Sequence, residues 1–197
     1  MTNMPAKLYF RYGTMNSGKS LILLSMAHNF QERGVPCIMM KSSIDTRDVG
    51  SIKSRALAEE VPCKIIAPDD TVIGSKYELS KYKWILVDEA QFLTAAQVDR
   101  FSQIVDEYGI NVMCFGLRTD FKTNLFPGSK RLFELADSIE EFKSSCECGR
   151  KTIVNARIDK NGNVITHGAQ IEVGAEDRYI SLCRKCYKKK IKPVGNE

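Results

Sequence analysis

The sequence predicts an α/β fold: a parallel sheet with flanking helices, followed by a small metal-held β unit. Three observations predict it. Strand-like and helix-like patterns alternate as far as about residue 140, which implies parallel strands joined by helices. The run Gly13-Thr-Met-Asn-Ser-Gly18-Lys19-Ser20 lies between one such strand and one such helix. From about Phe142 the composition turns to Cys, Gly, Lys and Arg, the strands shorten, and two close cysteine pairs appear.

Taken in order, Leu8 to Tyr12 is a short β-rich run that ends at Gly13. Leu21 to Arg33 has a helical apolar pattern and stops at Gly34, a natural C-terminal cap. Val35 to Met40 reads as a second strand, with Pro36 near its start where a missing donor is tolerated. Trp84 to Val87 is a continuous apolar run, the mark of a strand buried on both faces. Thr94 caps a helix that runs to Tyr108, turns Val98, Phe101, Ile104 and Val105 inward, and ends at Gly109. Ile110 to Phe115 is the next strand. Beyond Phe142, Thr152–Ile158 and Tyr179–Leu182 are short strands, and Asp159 to Asn163 carries the Asn-Gly signal of a hairpin turn.

The chain has 197 residues, 43% of them hydrophobic and 27% charged, which excludes a mostly disordered protein and fits one domain or one plus an appendage. No apolar run approaches the ~20 residues that span a bilayer, and the N-terminus lacks the basic region and apolar core of a signal peptide. A cytoplasmic location is the expectation, with no membrane partner. In a reducing compartment the seven cysteines are not expected to form disulfides. Cys37, Cys63 and Cys114 read as small core residues. The net charge of +5 is a modest positive balance that suits anionic small substrates and is weak evidence for nucleic acid.

The 13–20 run matches G-x-x-x-x-G-K-[ST] at every fixed position. Its glycines let backbone N–H groups and a helix N-terminus face a polyphosphate. Lys19 then neutralises β/γ-phosphate charge, and the Ser20 hydroxyl ligates Mg²⁺. Asp88 and Glu89 follow a buried strand directly, at the edge where open α/β sheets bind ligands. Asp88 is the expected Mg²⁺ carboxylate, and Glu89, one residue on, is a candidate base toward a nucleophile. Cys146-x-Cys148 and Cys183-x-x-Cys186 supply four thiolates for a structural, tetrahedral Zn²⁺. Asp45-Thr46-Arg47 is either a phosphate-facing loop or a solvated one. Phe115 to Phe121 leaves a strand at the same sheet edge, where its apolar groups either line a flat pocket or pack. His28 and His167 are isolated, and the Lys188–Lys190 stretch reads as a solvated end.

Together these blocks resemble the thymidine kinases of the cytosolic, zinc-containing type found in bacteria and animals. The match is carried by residues 13–20, Asp-Thr-Arg (45–47), Asp-Glu-Ala-Gln-Phe (88–92), Phe-Gly-Leu-Arg-Thr-Asp-Phe (115–121), the cysteine pairs, and Val-Gly-x-x-x-x-Tyr (173–179). The resemblance implies a P-loop, RecA-like kinase domain over 1–141 and a zinc-binding lasso or lid domain with a basic tail over 142–197. It implies transfer of the ATP γ-phosphate to the 5′-hydroxyl of thymidine or deoxyuridine, with Glu89 as the base. ATP would be met by Gly13, Thr14, Met15, Asn16, Ser17, Gly18, Lys19, Ser20, Asp45, Thr46, Arg47, Asp88, Glu89, Ala90 and Gln91. The nucleoside would be held by Gln170, Ile171, Glu172, Val173, Gly174 and Tyr179, with Phe121 stacked on the base and Met15 and Leu117 bordering its 5-methyl group. It further implies a homotetramer inhibited by thymidine triphosphate. The chain departs from the family in the shortened Cys146-x-Cys148 pair and in Gly174-Ala175 where Gly-Gly is usual. A competing expectation from Asp88-Glu89-Ala-Gln91 is a motor-type ATPase acting on nucleic acid, although the chain has room for one such core.

Overall fold

The computed structural model describes residues 5–45, 50–54, 60–70, 73, 77–170 and 178–191. Thr46, Arg47, Ile171, Glu172, Val173 and Gly174 therefore lie outside the described residues. Six strands form one parallel sheet in the order β5-β2-β6-β7-β1-β8. They are β1 (Leu8–Gly13), β2 (Cys37–Ser42), β5 (Lys64–Ile66), β6 (Trp84–Asp88), β7 (Asn111–Leu117) and β8 (Ser138–Phe142). Strands β3 (Ser51–Lys53) and β4 (Glu60–Pro62) make a separate antiparallel pair.

Period-2 alternation divides the central strands between two cores. Leu8, Phe10, Ile85, Val87, Val112 and Cys114 face helices α2 (Ala95–Tyr108) and α3 (Pro127–Leu135), through Val98, Phe101, Ile104, Val105 and Leu132. Tyr9, Trp84, Leu86, Met113 and Phe115 face α1 (Lys19–Glu32), through Leu23, Leu24 and Ala27. Burial on both faces is why these strands read as unbroken apolar runs. The predicted cap of α2 is a full capping box: Thr94 Oγ1 accepts from Gln97 N, and Gln97 Oε1 accepts from Thr94 N. Gln97 also donates to the Ala67 carbonyl at 2.7 Å, so the cap fastens the segment after β5.

Several elements had no sequence expectation: strands β3, β4 and β5, a short helix over Arg184–Lys190 that takes in the lysines expected to be a solvated end, and two more. Helix α3 is nine residues long and opens on Pro127, too short for a clear period. Strand β8 is a polar edge strand, Ser-Ile-Glu-Glu-Phe, with no alternation to reveal it. The Asn-Gly turn is also smaller than a hairpin signal implies. Asp159 Oδ1 accepts from Asn161 N and Asn163 N, and pairing beyond it is a single bridge, Ile158 to Val164. The long partner of β9 (Val154–Ile158) is instead β10 (Arg178–Leu182), antiparallel. Strands β9 and β10 and helix α4 (Arg184–Lys190) enclose a third apolar cluster: Val154, Ala156, Val164, Leu182 and Tyr187 with Cys146 and Cys183. Among the described residues no helix is long and apolar enough to cross a membrane.

Candidate active site and metal centre

Because the sheet is parallel, the ends of β1, β6 and β7 share one edge, and Gly13, Asp88 and Leu117 lie on it. The loop after β1 turns sharply through two left-handed residues, Asn16 (φ 61°) and Gly18 (φ 84°), before α1 begins at Lys19. Gly13 has no room for a side chain, since a Cβ would lie 2.8 Å from the Phe142 carbonyl oxygen and closer still to Ser17 Oγ. Lys19 is buried and curls back across the loop, donating to the Thr14 carbonyl at 2.7 Å. This leaves the loop backbone curled around a helix N-terminus with a lysine alongside, the arrangement that receives phosphate.

Asp88 closes the site from β6. Its Oδ2 accepts from Ser20 Oγ at 2.9 Å and its Oδ1 from Glu89 N at 3.0 Å. Burial, then the neighbouring Glu89 charge, pushes the Asp88 carboxyl up from 3.8 to about 6. A hard, oxygen-liganded divalent cation is the natural partner of such a hydroxyl–carboxylate pair, and Ser20 and Asp88 fit Mg²⁺. Glu89 adopts a left-handed backbone (φ 51°), and its Oε2 accepts from Gln91 Nε2 at 2.5 Å. Gln91 is fully buried, and its Oε1 also accepts from Leu117 N at 3.0 Å. The candidate base is therefore tied to the end of β7. Gly116 permits this approach: a Cβ there would lie 2.9 Å from Gln91 Oε1.

The Asp88 shift has a consequence for stability. The native state holds this proton to higher pH than the unfolded chain, so the stabilisation it confers is complete below about pH 3.8 and lost as pH rises through about 6. At 1.36 kcal/mol per pK unit, Asp88→Asn without added Mg²⁺ is expected to be more stable than wild type at pH 8, by about 3 kcal/mol. The difference should close by about pH 4. Urea midpoints measured across that range check it, and parallel pH profiles for the two proteins would refute it.

Other expected site residues are placed as follows. Asp45 is buried and forms a 2.9 Å ion pair with buried Lys41, whose strand position is opposite Asp88. Phe121 is buried, with the Arg157 guanidinium 5.3 Å and the Lys122 ammonium 5.4 Å from its ring centre. Gln170 donates to Asp120 Oδ2 at 2.9 Å, beside Phe121. Tyr179 is partly buried on β10, directly opposite Arg157. Arg157, Lys41 and Asp120 carried no sequence expectation. For Arg157 the usable signal was alternation: 155 and 157 are polar between apolar 154, 156 and 158.

Residues Cys146, Cys148, Cys183 and Cys186 come together, all four sulfurs lying within 4.8 Å of one another. Tetrahedral zinc with ~2.3 Å bonds needs sulfurs about 3.8 Å apart, so the set fits. Cys183 N-caps α4, its Sγ accepting from Cys186 N at 3.4 Å, and that contact leads the causes that draw the Cys183 thiol down to about 6. The tight Cys146-x-Cys148 spacing is accommodated by a turn in which Gly149 N donates to the Cys146 carbonyl at 2.8 Å. The three single cysteines lie in the cores as expected, Cys114 fully buried and Cys37 and Cys63 partly so.

Comparison with known proteins agrees with this geometry. The thymidine kinase family profile matches residues 6–187. A thymidine kinase from Pasteurella multocida (strain Pm70) is 46% identical over 189 residues, 94% of this chain and 98% of that protein. One from Jannaschia sp. (strain CCS1) is 43% identical over 192 residues, 96% of this chain and 98% of that protein. Among solved structures, the genome packaging NTPase B204 from Sulfolobus turreted icosahedral virus 2 in complex with ATP-gammaS is 16% identical with a TM-score of 0.45, covering 75% of this chain and 79% of that one, too distant a likeness to argue from. On the family profile and these relatives, the chain belongs to the thymidine kinase family.

Proposed function

We propose that the protein is an ATP:thymidine 5′-phosphotransferase, giving thymidine monophosphate for nucleotide salvage and accepting deoxyuridine as well. The observation that carries the proposal is the 2.9 Å hydrogen bond from Ser20 to Asp88, which joins the phosphate loop to the strand end bearing Glu89. Phosphoryl transfer asks for positioning and charge stabilisation more than covalent groups, and this edge of the sheet offers both. On this reading the 13–20 loop and Lys19 cradle the ATP phosphates. Ser20 and Asp88 would hold Mg²⁺, which would supply neutralisation of the charge that develops on the phosphates. Glu89 takes the proton from the 5′-hydroxyl. Asp45 and its neighbours Thr46 and Arg47 flank the phosphates, while Met15, Leu117, Phe121, Gln170 and Tyr179 bound the nucleoside.

The same reading makes 1–141 the ATP-binding domain and 142–197 a zinc-held unit, in which the four thiolates carry a structural ion. It also carries a homotetrameric, cytoplasmic enzyme under feedback by thymidine triphosphate, and these follow from the family resemblance. The test is a nucleoside panel with Mg·ATP, following monophosphate formation. Thymidine and deoxyuridine are expected to turn over. No turnover with thymidine, or ATP hydrolysis that needs nucleic acid instead of nucleoside, would overturn the proposal.

A further inference from the structure

We infer that strands β9 and β10, which pack against the cysteine cluster, set the shape of the phosphate loop, through Asn155 and Ser181 acting as a clamp on the backbone of Met15. The two residues are cross-strand partners, Asn155 on β9 and Ser181 on β10. Asn155 Oδ1 accepts from Met15 N at 2.7 Å, and Ser181 Oγ donates to the Met15 carbonyl at 2.8 Å. Both polar groups of one loop residue are thus held by one rung of the β9–β10 ladder. Asn155 is buried and donates from Nδ2 to the Thr119 carbonyl at 3.4 Å, which limits its own freedom.

The grip extends one residue back. Thr14 Oγ1 lies 2.8 Å from Ser144 Oγ and 2.9 Å from Thr152 Oγ1, and those two hydroxyls are 2.5 Å apart. Residues 14 and 15 are consequently fixed from outside the parallel sheet. A Met15 amide committed to Asn155 is not offered to an anion, so the phosphate-facing amides begin beyond it. The turns at Asn16 and Gly18 start from that fixed point, and a loop with strained backbone needs its surroundings to hold it. Asn155 and Ser181 are positioning residues, since they act on ATP only through the loop.

The kinetic consequence rests on the reading that this loop binds ATP, and the experiment separates the two claims. Equilibrium binding of a non-hydrolysable ATP analogue with Mg²⁺ is measured for wild type, Ser181→Ala, Ser181→Thr, Asn155→Ala and the double alanine variant. Ser181→Ala should weaken binding about fivefold, and Asn155→Ala about tenfold because it leaves the half-buried Met15 N–H without its partner. The double variant should fall short of the product of the two, because both side chains hold one residue. Ser181→Thr should restore affinity, all variants should keep their zinc, and kcat at saturating ATP should stay within about twofold of wild type. Unchanged affinity in both single variants, loss of zinc in Ser181→Ala, or failure of threonine to rescue would overturn the clamp. If wild type binds no ATP analogue, the ATP reading fails by itself, and amide exchange still decides the clamp. The Met15 amide should then exchange at least about tenfold faster in Asn155→Ala, and an unchanged rate would sink the inference.

Discussion

Replacing Glu89 by glutamine is expected to lower thymidine turnover at least ~100-fold while leaving the KM for ATP within about twofold of wild type. The substitution keeps the shape of the side chain and its hydrogen bond to Gln91, because an amide oxygen can accept from Gln91 Nε2 as the carboxylate does at 2.5 Å. What it removes is the capacity to take a proton. The surroundings argue that this carboxylate is held in place for a purpose. A left-handed backbone at a non-glycine residue costs about 1–3 kcal/mol, and at Glu89 it is retained by contacts on both sides. Asp88 Oδ1 accepts its N–H, while Gln91 binds its carboxylate and the Leu117 N–H together. The end of β7 lies on the same sheet edge as the phosphate loop, and on the proposed reading a base fixed there would have to come within hydrogen-bond reach of the 5′-hydroxyl. Steady-state kinetics with thymidine and Mg·ATP check the prediction. Near-normal kcat in the variant would remove Glu89 from the base role, and a large rise in the KM for ATP would mean it serves ATP binding instead.

The chemistry of this site was legible wherever it is local in sequence. The phosphate loop is a contiguous run with obligatory glycines, Asp88 and Glu89 end an apolar strand, and the cysteines come in close pairs. Helix α2 was legible from its cap and its period, and β6 from burial on both faces. What stayed hidden depends on distant residues meeting. Met15 meets Asn155 and Ser181 across 140 and 166 positions, and nothing near Met15 in the chain announces either partner. The Lys41–Asp45 ion pair is local, four residues apart, yet its burial is decided by the tertiary fold and no charge pattern reveals that. Edge strand β8 failed for another reason: none of its residues is fully buried, so the alternation that betrays a half-buried strand is absent. Sequence periodicity reports burial, and a residue whose role is to touch another element is visible only when that contact also changes its burial.

The zinc site is where that limit can be tested with the largest effect on folding. Cys183→Ser is expected to abolish zinc binding and leave residues from about 142 onward unfolded, with proteolysis concentrated there and thymidine kinase activity lost. Among the described residues, the buried apolar residues of this unit are few: Val154, Ala156, Val164, Leu182 and Tyr187, besides Cys146 and Cys183. A cluster of that size does not offset the conformational entropy of the segment it organises, and small units of this kind depend on a metal or disulfides. Structural zinc contributes roughly 10 kcal/mol or more of folding free energy in isolated zinc units, enough to decide the outcome. Cys183 is the informative ligand because it also caps α4, so its loss removes a metal bond and a helix start together. Because β9 and β10 hold Met15, unfolding them should reach the phosphate loop as well, and ATP binding should weaken with zinc loss even though no cysteine lies in the loop. Cys37→Ser supplies the contrast, since Cys37 packs against α1 and the Trp84 face of the sheet, away from the cluster, and that variant should keep its zinc. Elemental analysis and limited proteolysis of the three proteins read the result. A well-folded wild type without zinc, or a Cys183→Ser protein that retains full zinc, would contradict a metal-dependent fold. Full ATP affinity in a zinc-free, unfolded unit would instead show that the phosphate loop keeps its shape without the strands that grip it.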